Sequence, residues 1–140
     1  MTKQEHIEYW LATAAHDLDA AQSCFDGGKY LPCMNISHVA LEKALKANWV
    51  RDSEQPVPRI YDLREIANGM RLHLSKEQKQ FLSDLAIFDF EAPEVDYEFK
   101  ALKLCTKEFT DENFTKVKEL YHFLISQLQF EPARKARADA

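Results

Sequence analysis

Glycine and proline are scarce, three and five in 140 residues, and a β-sandwich or barrel would need many more tight-turn residues than that. Composition therefore leans towards helices. Cysteine is scarce as well. Cys24, Cys33 and Cys105 are odd in number, widely spaced and without a Cys-x-x-Cys pair, so no disulfide framework is readable. The polar start MTKQEHIEYW shows no signal-peptide pattern, and reduced thiols in a cytoplasm are the expectation. No apolar run approaches the roughly eighteen residues that span a bilayer, which excludes an integral membrane protein. Positive charge is in deficit: 18 Lys and Arg against 23 Asp and Glu leave a formal charge of -5. Such a chain has no overall basic field for sequence-independent grip on duplex phosphates. A glycine-rich phosphate loop is also missing, since Gly27-Gly28 is the one adjacent pair, no GK[ST] follows, and Lys29 is no Walker lysine.

What is present is material for one core. Hydrophobic residues make up 46% and charged residues 29%, a globular balance, and the length suits a single domain. Over residues 5–26, Ile7, Trp10, Leu11, Ala14, Leu18, Ala21 and Phe25 recur at spacings of three and four, the signature of one helical face. Gly27-Gly28 supplies the turn that ends this helix. A second helix reads over 29–51, with Cys33, Ser37, Ala40, Leu41, Ala44, Leu45 and Asn48 on one stripe and Trp49 near its end. Its small residues predict a close antiparallel pair with the first helix. Pro56 and Pro58 make 52–58 a loop.

A shorter helix is predicted over 62–70, stopped near Gly69, and Ser75 with Gln78 forms a capping-box pattern before a helix carrying Phe81, Leu82, Leu85 and Phe88. The acidic stretch DFEAPEVD over 89–96 reads as a connection, followed by a helix around 97–107. Thr110 is a candidate cap for a last helix striped by Phe114, Val117, Tyr121, Leu124 and Leu128. The domain is placed at 1–130, and the polar tail 131–140 is expected to be mobile. Surplus apolar residues at Trp49, Phe88, Phe90 and Phe130 motivate an expected homodimer.

Few side chains point to chemistry. Bundle metal centres draw His, Asp, Glu or Cys inward from several helices, often as Glu-x-x-His, and no such set is readable, so neither metal nor cofactor is expected. His38 and Glu42 stand one turn apart, but Glu42 with Lys46 is also an ordinary i,i+4 pair. Cys33 lies on an apolar stripe and reads as a core residue. His16 and Asp17 are adjacent on a helix and diverge by about 100°, so they form no local dyad. Lys43, Lys46 and Arg51 suit a phosphate or an acidic protein, or simply a solvated face.

The order of these features resembles the HEPN family, small helical domains named for nucleotide binding in higher eukaryotes and prokaryotes. The resemblance runs from about Tyr9 to Leu128: Trp10, Ala14, Asp17, Leu18 and Ala21, the glycine turn, Tyr30, then HVALEKALKA from His38 to Ala47. Pro58 with Tyr61-Asp62-Leu63, and the run KLCTKEFTDENFTKVKELYHFL, continue it. It implies an all-α, up-and-down four-helix bundle with an additional short helix, commonly a homodimer with a polar groove. Many members sit beside a minimal nucleotidyltransferase in toxin-antitoxin or defence settings, and some cut RNA. The cutting members carry Arg, four to six residues, then His. No Arg here has that separation from His6, His16, His38, His73 or His122. Tyr61 also stands where a His often precedes Asp-Leu, and Asp96 where many relatives carry Arg before the tyrosine; a carboxylate in that place inverts the local field.

The leading expectation is a non-catalytic HEPN-type protein binding a nucleotide, RNA or a nucleotidyltransferase partner. Asp17, His38, Glu42, Lys43, Asp62 and Tyr97 are its candidate ligand-binding residues, with interhelical hydrogen bonding as the structural alternative for each. The rivals are a ribonuclease with a composite site, using His38 or His73 as base and Lys43 or Arg64 as electrophile, and a purely structural interaction module.

Overall fold

The structure is a computed structural model in which residues 1–57, 63–89 and 95–139 are described, with side chains described for 1–57, 63–89 and 98–128. Six α-helices and one 3-10 turn follow in the order α1 (Lys3–Asp26), α2 (Tyr30–Asp52), α3 (Leu63–Asn68), α4 (Lys76–Asp84), the 3-10 turn Leu85–Phe88, α5 (Val95–Leu104) and α6 (Lys107–Asp139). No strand occurs among the described residues. The expected all-α fold is what is found, although its fourth long element is the short α4 prolonged by the 3-10 turn.

Helices α1, α4 and α6 start where the sequence supplies their orphan N–H groups with a side-chain acceptor, whereas α2 starts after Lys29 without one. At α1 the hydroxyl of Thr2 accepts from the Glu5 N–H at 3.1 Å, and the Glu5 carboxylate reaches back to the Thr2 N–H. This capping box extends the helix two residues before its predicted start. Ser75 and Gln78 make the expected box at α4, with bonds of 3.0 and 2.8 Å. Thr110 does not cap α6. It lies a turn inside and fully buried, donating to the Thr106 carbonyl, while Thr106 accepts from the Phe109 N–H. Lys107 opens this helix, so the residue that faces its first free N–H is Thr106.

The stripes pack as their spacing requires. Ala14 and Ala21 of α1 meet α2, whose Cys33, Ser37, Ala40, Leu41, Ala44, Leu45 and Asn48 are all fully buried. Small side chains on both sides let α1 and α2 approach along their length. The other flank of α2 takes α6 through Phe114, Val117, Tyr121, Leu124 and Leu128. Asn48 joins the two helices: its amide donates to the carbonyls of Ala44 at 3.0 Å and Leu124 at 3.4 Å. The elements α3, α4 and the 3-10 turn close the remaining side of the core with Leu63, Ile66, Leu82, Leu85 and Phe88.

Two of the residues that motivated a dimer are absorbed within the monomer. Phe88 is a core residue, and Trp49 packs against the core while its Nε1–H donates to the Gln55 carbonyl at 2.9 Å. Phe90 and the side chain of Phe130 lie outside the described residues. The α6 backbone is helical to Asp139, and the tail expected over 131–140 falls on side chains outside those described.

Candidate functional site

The polar residues of α2 fall in two groups, fixed by helix geometry. Asn35, His38, Glu42 and Lys46 are spaced by three and four, so they share a stripe. Lys43, displaced by about 100° from Glu42, turns towards α1. Its ammonium meets the Asp17 carboxylate at 2.6 Å, with both side chains about one-fifth exposed. That pair crosses the α1–α2 seam between the small residues that bring the helices together.

Along the stripe, Lys46 pairs with Glu42 at 3.5 Å and also lies 4.9 Å from the centre of the Trp10 ring, a cation–π contact. Farther towards the start of α2, the Asn35 amide donates to the Phe88 carbonyl at 2.7 Å and holds the end of the 3-10 turn against this helix. His38 lies between these contacts and is 2% exposed. Its Nε2 has no hydrogen-bond partner among the described residues. Burial penalises the imidazolium and lowers the pKa below its ordinary value, with the negative field of Asp89 pulling the other way. The neutral imidazole is the form this environment favours.

Of the candidate residues, Asp17 and Lys43 are thus brought together, Glu42 is joined to Lys46, and His38 is set apart in the core. Asp62 lies outside the described residues, as does the Tyr97 side chain, whose backbone belongs to α5. His73 and Arg64, components of the composite ribonuclease alternative, are exposed. His16 is exposed and Asp17 partly buried, so the two diverge as adjacent helical residues must.

Three features were not singled out in the sequence. Asn35 and Asp89, which border His38, are one: Asn35 was legible as the residue three before His38, whereas Asp89 comes near it only through the 3-10 turn. The second is Asp52, whose side chain is almost fully buried. Burial raises its pKa, but the Arg51 hydrogen bonds, the Arg71 N–H at 2.9 Å and both cations outweigh that and hold it below the ordinary value. The third corrects the expectation that no Glu-x-x-His is present: the pattern occurs once, as Glu119 with His122 on α6, both exposed. Among the described residues no group of three His, Cys, Asp or Glu is placed to hold a metal ion.

The cysteines have the chemistry of core residues. Cys33 is fully buried, and desolvation pushes its thiol up to about 12 against a hydrogen bond with Ser37. Cys105 is pushed up to about 11 by the same cause. All three thiols are free. No helix among the described residues is long and apolar enough to cross a membrane.

No curated protein and no solved structure matches the chain. The family profile of the HEPN domain, however, covers residues 7–128, which takes in both the Asp17–Lys43 seam and the His38 stripe. With an all-helical architecture and a match over most of its length, this chain belongs to the HEPN domain family.

Proposed function

We propose that this HEPN protein is a non-catalytic binding module in a nucleotide- or RNA-handling assembly. It recognises another protein, and a minimal nucleotidyltransferase is the partner that the family resemblance points to. The observation that carries this reading is the state of the ionisable groups on α2. Lys43, Lys46 and Arg51 each meet a carboxylate, and His38 is enclosed. RNA cleavage needs a base within reach of the ribose hydroxyl and an electrophile facing the developing negative charge. A neutral imidazole at 2% exposure does not reach an incoming hydroxyl. A lysine held at 2.6 Å by Asp17 already has its anion.

The same pairs disfavour direct capture of a phosphate. A nucleotide would have to displace Asp17 from Lys43 or Glu42 from Lys46, exchanging one carboxylate for another anion on a chain of net charge -5. A protein surface makes no such demand, because its contacts rest on shape and apolar burial. Family membership supports the nucleotide- or RNA-related setting.

Three assays on the purified protein test the reading: RNA cleavage, thermal shift with ATP, GTP and short single-stranded RNA, and calorimetric titration with a purified minimal nucleotidyltransferase. The expected outcome is intact RNA, an unmoved melting temperature with nucleotides, and saturable heat with the protein. RNA cut by the wild type but not by a folded His38→Gln variant would overturn it. So would a nucleotide-induced rise in melting temperature that disappears in Lys43→Ala, since a ligand of the folded state must stabilise it.

A further inference from the structure

Two surfaces of this molecule are unfinished in complementary ways. The first is a groove of about 580 Å³ between α4 and α6. Its floor is apolar, formed by Phe81, Leu120 and Phe123, and its walls carry Glu77, Asp84 and Glu119 against the one ammonium of Lys116. Three carboxylates and one ammonium leave this lining at -2. Phe81 and Phe123 are only partly buried, so the floor is apolar surface that the chain's own fold does not cover.

The second surface is α5. Its Ala101 is buried against the core, whereas Phe99 and Leu102 are 61% and 60% exposed. A spacing of three puts those two side chains on one face, and about 100° per residue turns that face away from Ala101. Lysines surround it: Lys100 and Lys103 are exposed on the helix and Lys107 just beyond. The Lys103 ammonium sits 4.3 Å from the centre of the Phe99 ring, so charge and apolar surface travel together. The segment 98–107 carries three lysines against the single carboxylate of Glu98. The exposed face itself is cationic.

We propose that α5 of one copy docks its Phe99–Leu102 face into the α4–α6 groove of a second copy. The apolar pair covers Phe81, Leu120 and Phe123, and Lys100 and Lys103 meet Glu77, Asp84 and Glu119. The charge signs are opposite and both patches are apolar at the centre and charged at the edge, the layout of a protein interface. Docked one way, the contact is heterologous, whereas mutual exchange repeats the same pair of patches on both copies and is isologous. Mutual exchange between two copies closes a dimer, and one-way docking extends a chain. This inference does not rest on the proposed function, because self-association is read without any other partner.

Sedimentation velocity of the full chain across the micromolar range tests it. The wild type is expected to associate with increasing concentration. Leu102→Ser and Glu119→Lys, both at exposed positions that leave the core intact, should each weaken association by about tenfold or more. The double charge exchange Glu119→Lys with Lys103→Glu in one chain should recover part of the loss, a result that a merely structural role for either residue would not produce. A wild type that stays monomeric throughout overturns the proposal. So does association that Leu102→Ser weakens but Glu119→Lys leaves unchanged, since α5 would then dock elsewhere.

Discussion

His38 shows how one buried nitrogen makes stability depend on pH. In the unfolded chain its imidazole titrates near 6.5, while burial lowers the folded value and the Asp89 carboxylate offsets part of that shift. As pH falls, the unfolded state therefore takes up the proton first. The contribution of the neutral form is fully present above 6.5 and is lost as pH falls towards the folded value. Asp52 acts in a separate, more acidic window: its folded pKa lies below 3.8, so its contribution persists above that pH and is lost only as pH falls beneath it. Urea unfolding between about pH 8 and about pH 5 should thus show a loss of stability attributable to His38, with a slope of at most about 1.4 kcal/mol per pH unit. In His38→Gln that slope should flatten. An unchanged slope would assign the titration to another histidine.

At the scale of elements, Gly69 holds the junction of α3 to the spine, and its reason differs from that of Gly28. Gly28 has a φ of +75°, the left-handed turn that glycine adopts without a Cβ clash. Gly69 is needed because the Trp49 ring occupies the space where a side chain would begin: a Cβ there would lie 1.8 Å from the ring. Since Trp49 is anchored through its Nε1–H to the Gln55 carbonyl, the ring cannot swing aside without losing that bond. Gly69→Ala should cost about 1 to 3 kcal/mol in chemical denaturation, as overpacking does. A neutral result would mean that Trp49 relocates freely. The sequence marked Gly69 as the stop of this helix, yet nothing in its neighbours foretold a tryptophan twenty residues earlier in the chain. Stripes and the Ser75–Gln78 capping box were legible because they are local, recurring within one or two turns, although the equally local Thr2–Glu5 box fell outside the predicted start of α1. Thr110 was misplaced for the same reason: a threonine near a helix start suits a cap equally well at 106 and 110, and only the fold decides which hydroxyl faces the free N–H.

Across the whole molecule, α2 is the element on which the others depend, flanked by α1 on one side and α6 on another, with α3 and the 3-10 turn packed against it. Its stripe read correctly as core, but its polar residues did not reveal their partners, because Asp17 with Lys43 and Asp89 with His38 are joined only by tertiary packing. Such a hub leaves little scope for any helix to unfold alone. The two tryptophans, Trp10 on α1 and Trp49 on α2, report on the spine, whereas far-ultraviolet circular dichroism reports on every helix. Phe114, nearly fully buried on α6 and 6.0 Å between ring centres from Phe25 of α1, links the far flank to the same core. Phe114→Ala should destabilise by about 3 to 5 kcal/mol and shift the fluorescence and dichroism midpoints together. If the dichroism transition splits while the tryptophan signal holds its midpoint, α6 unfolds as a separate unit and the spine stands without it.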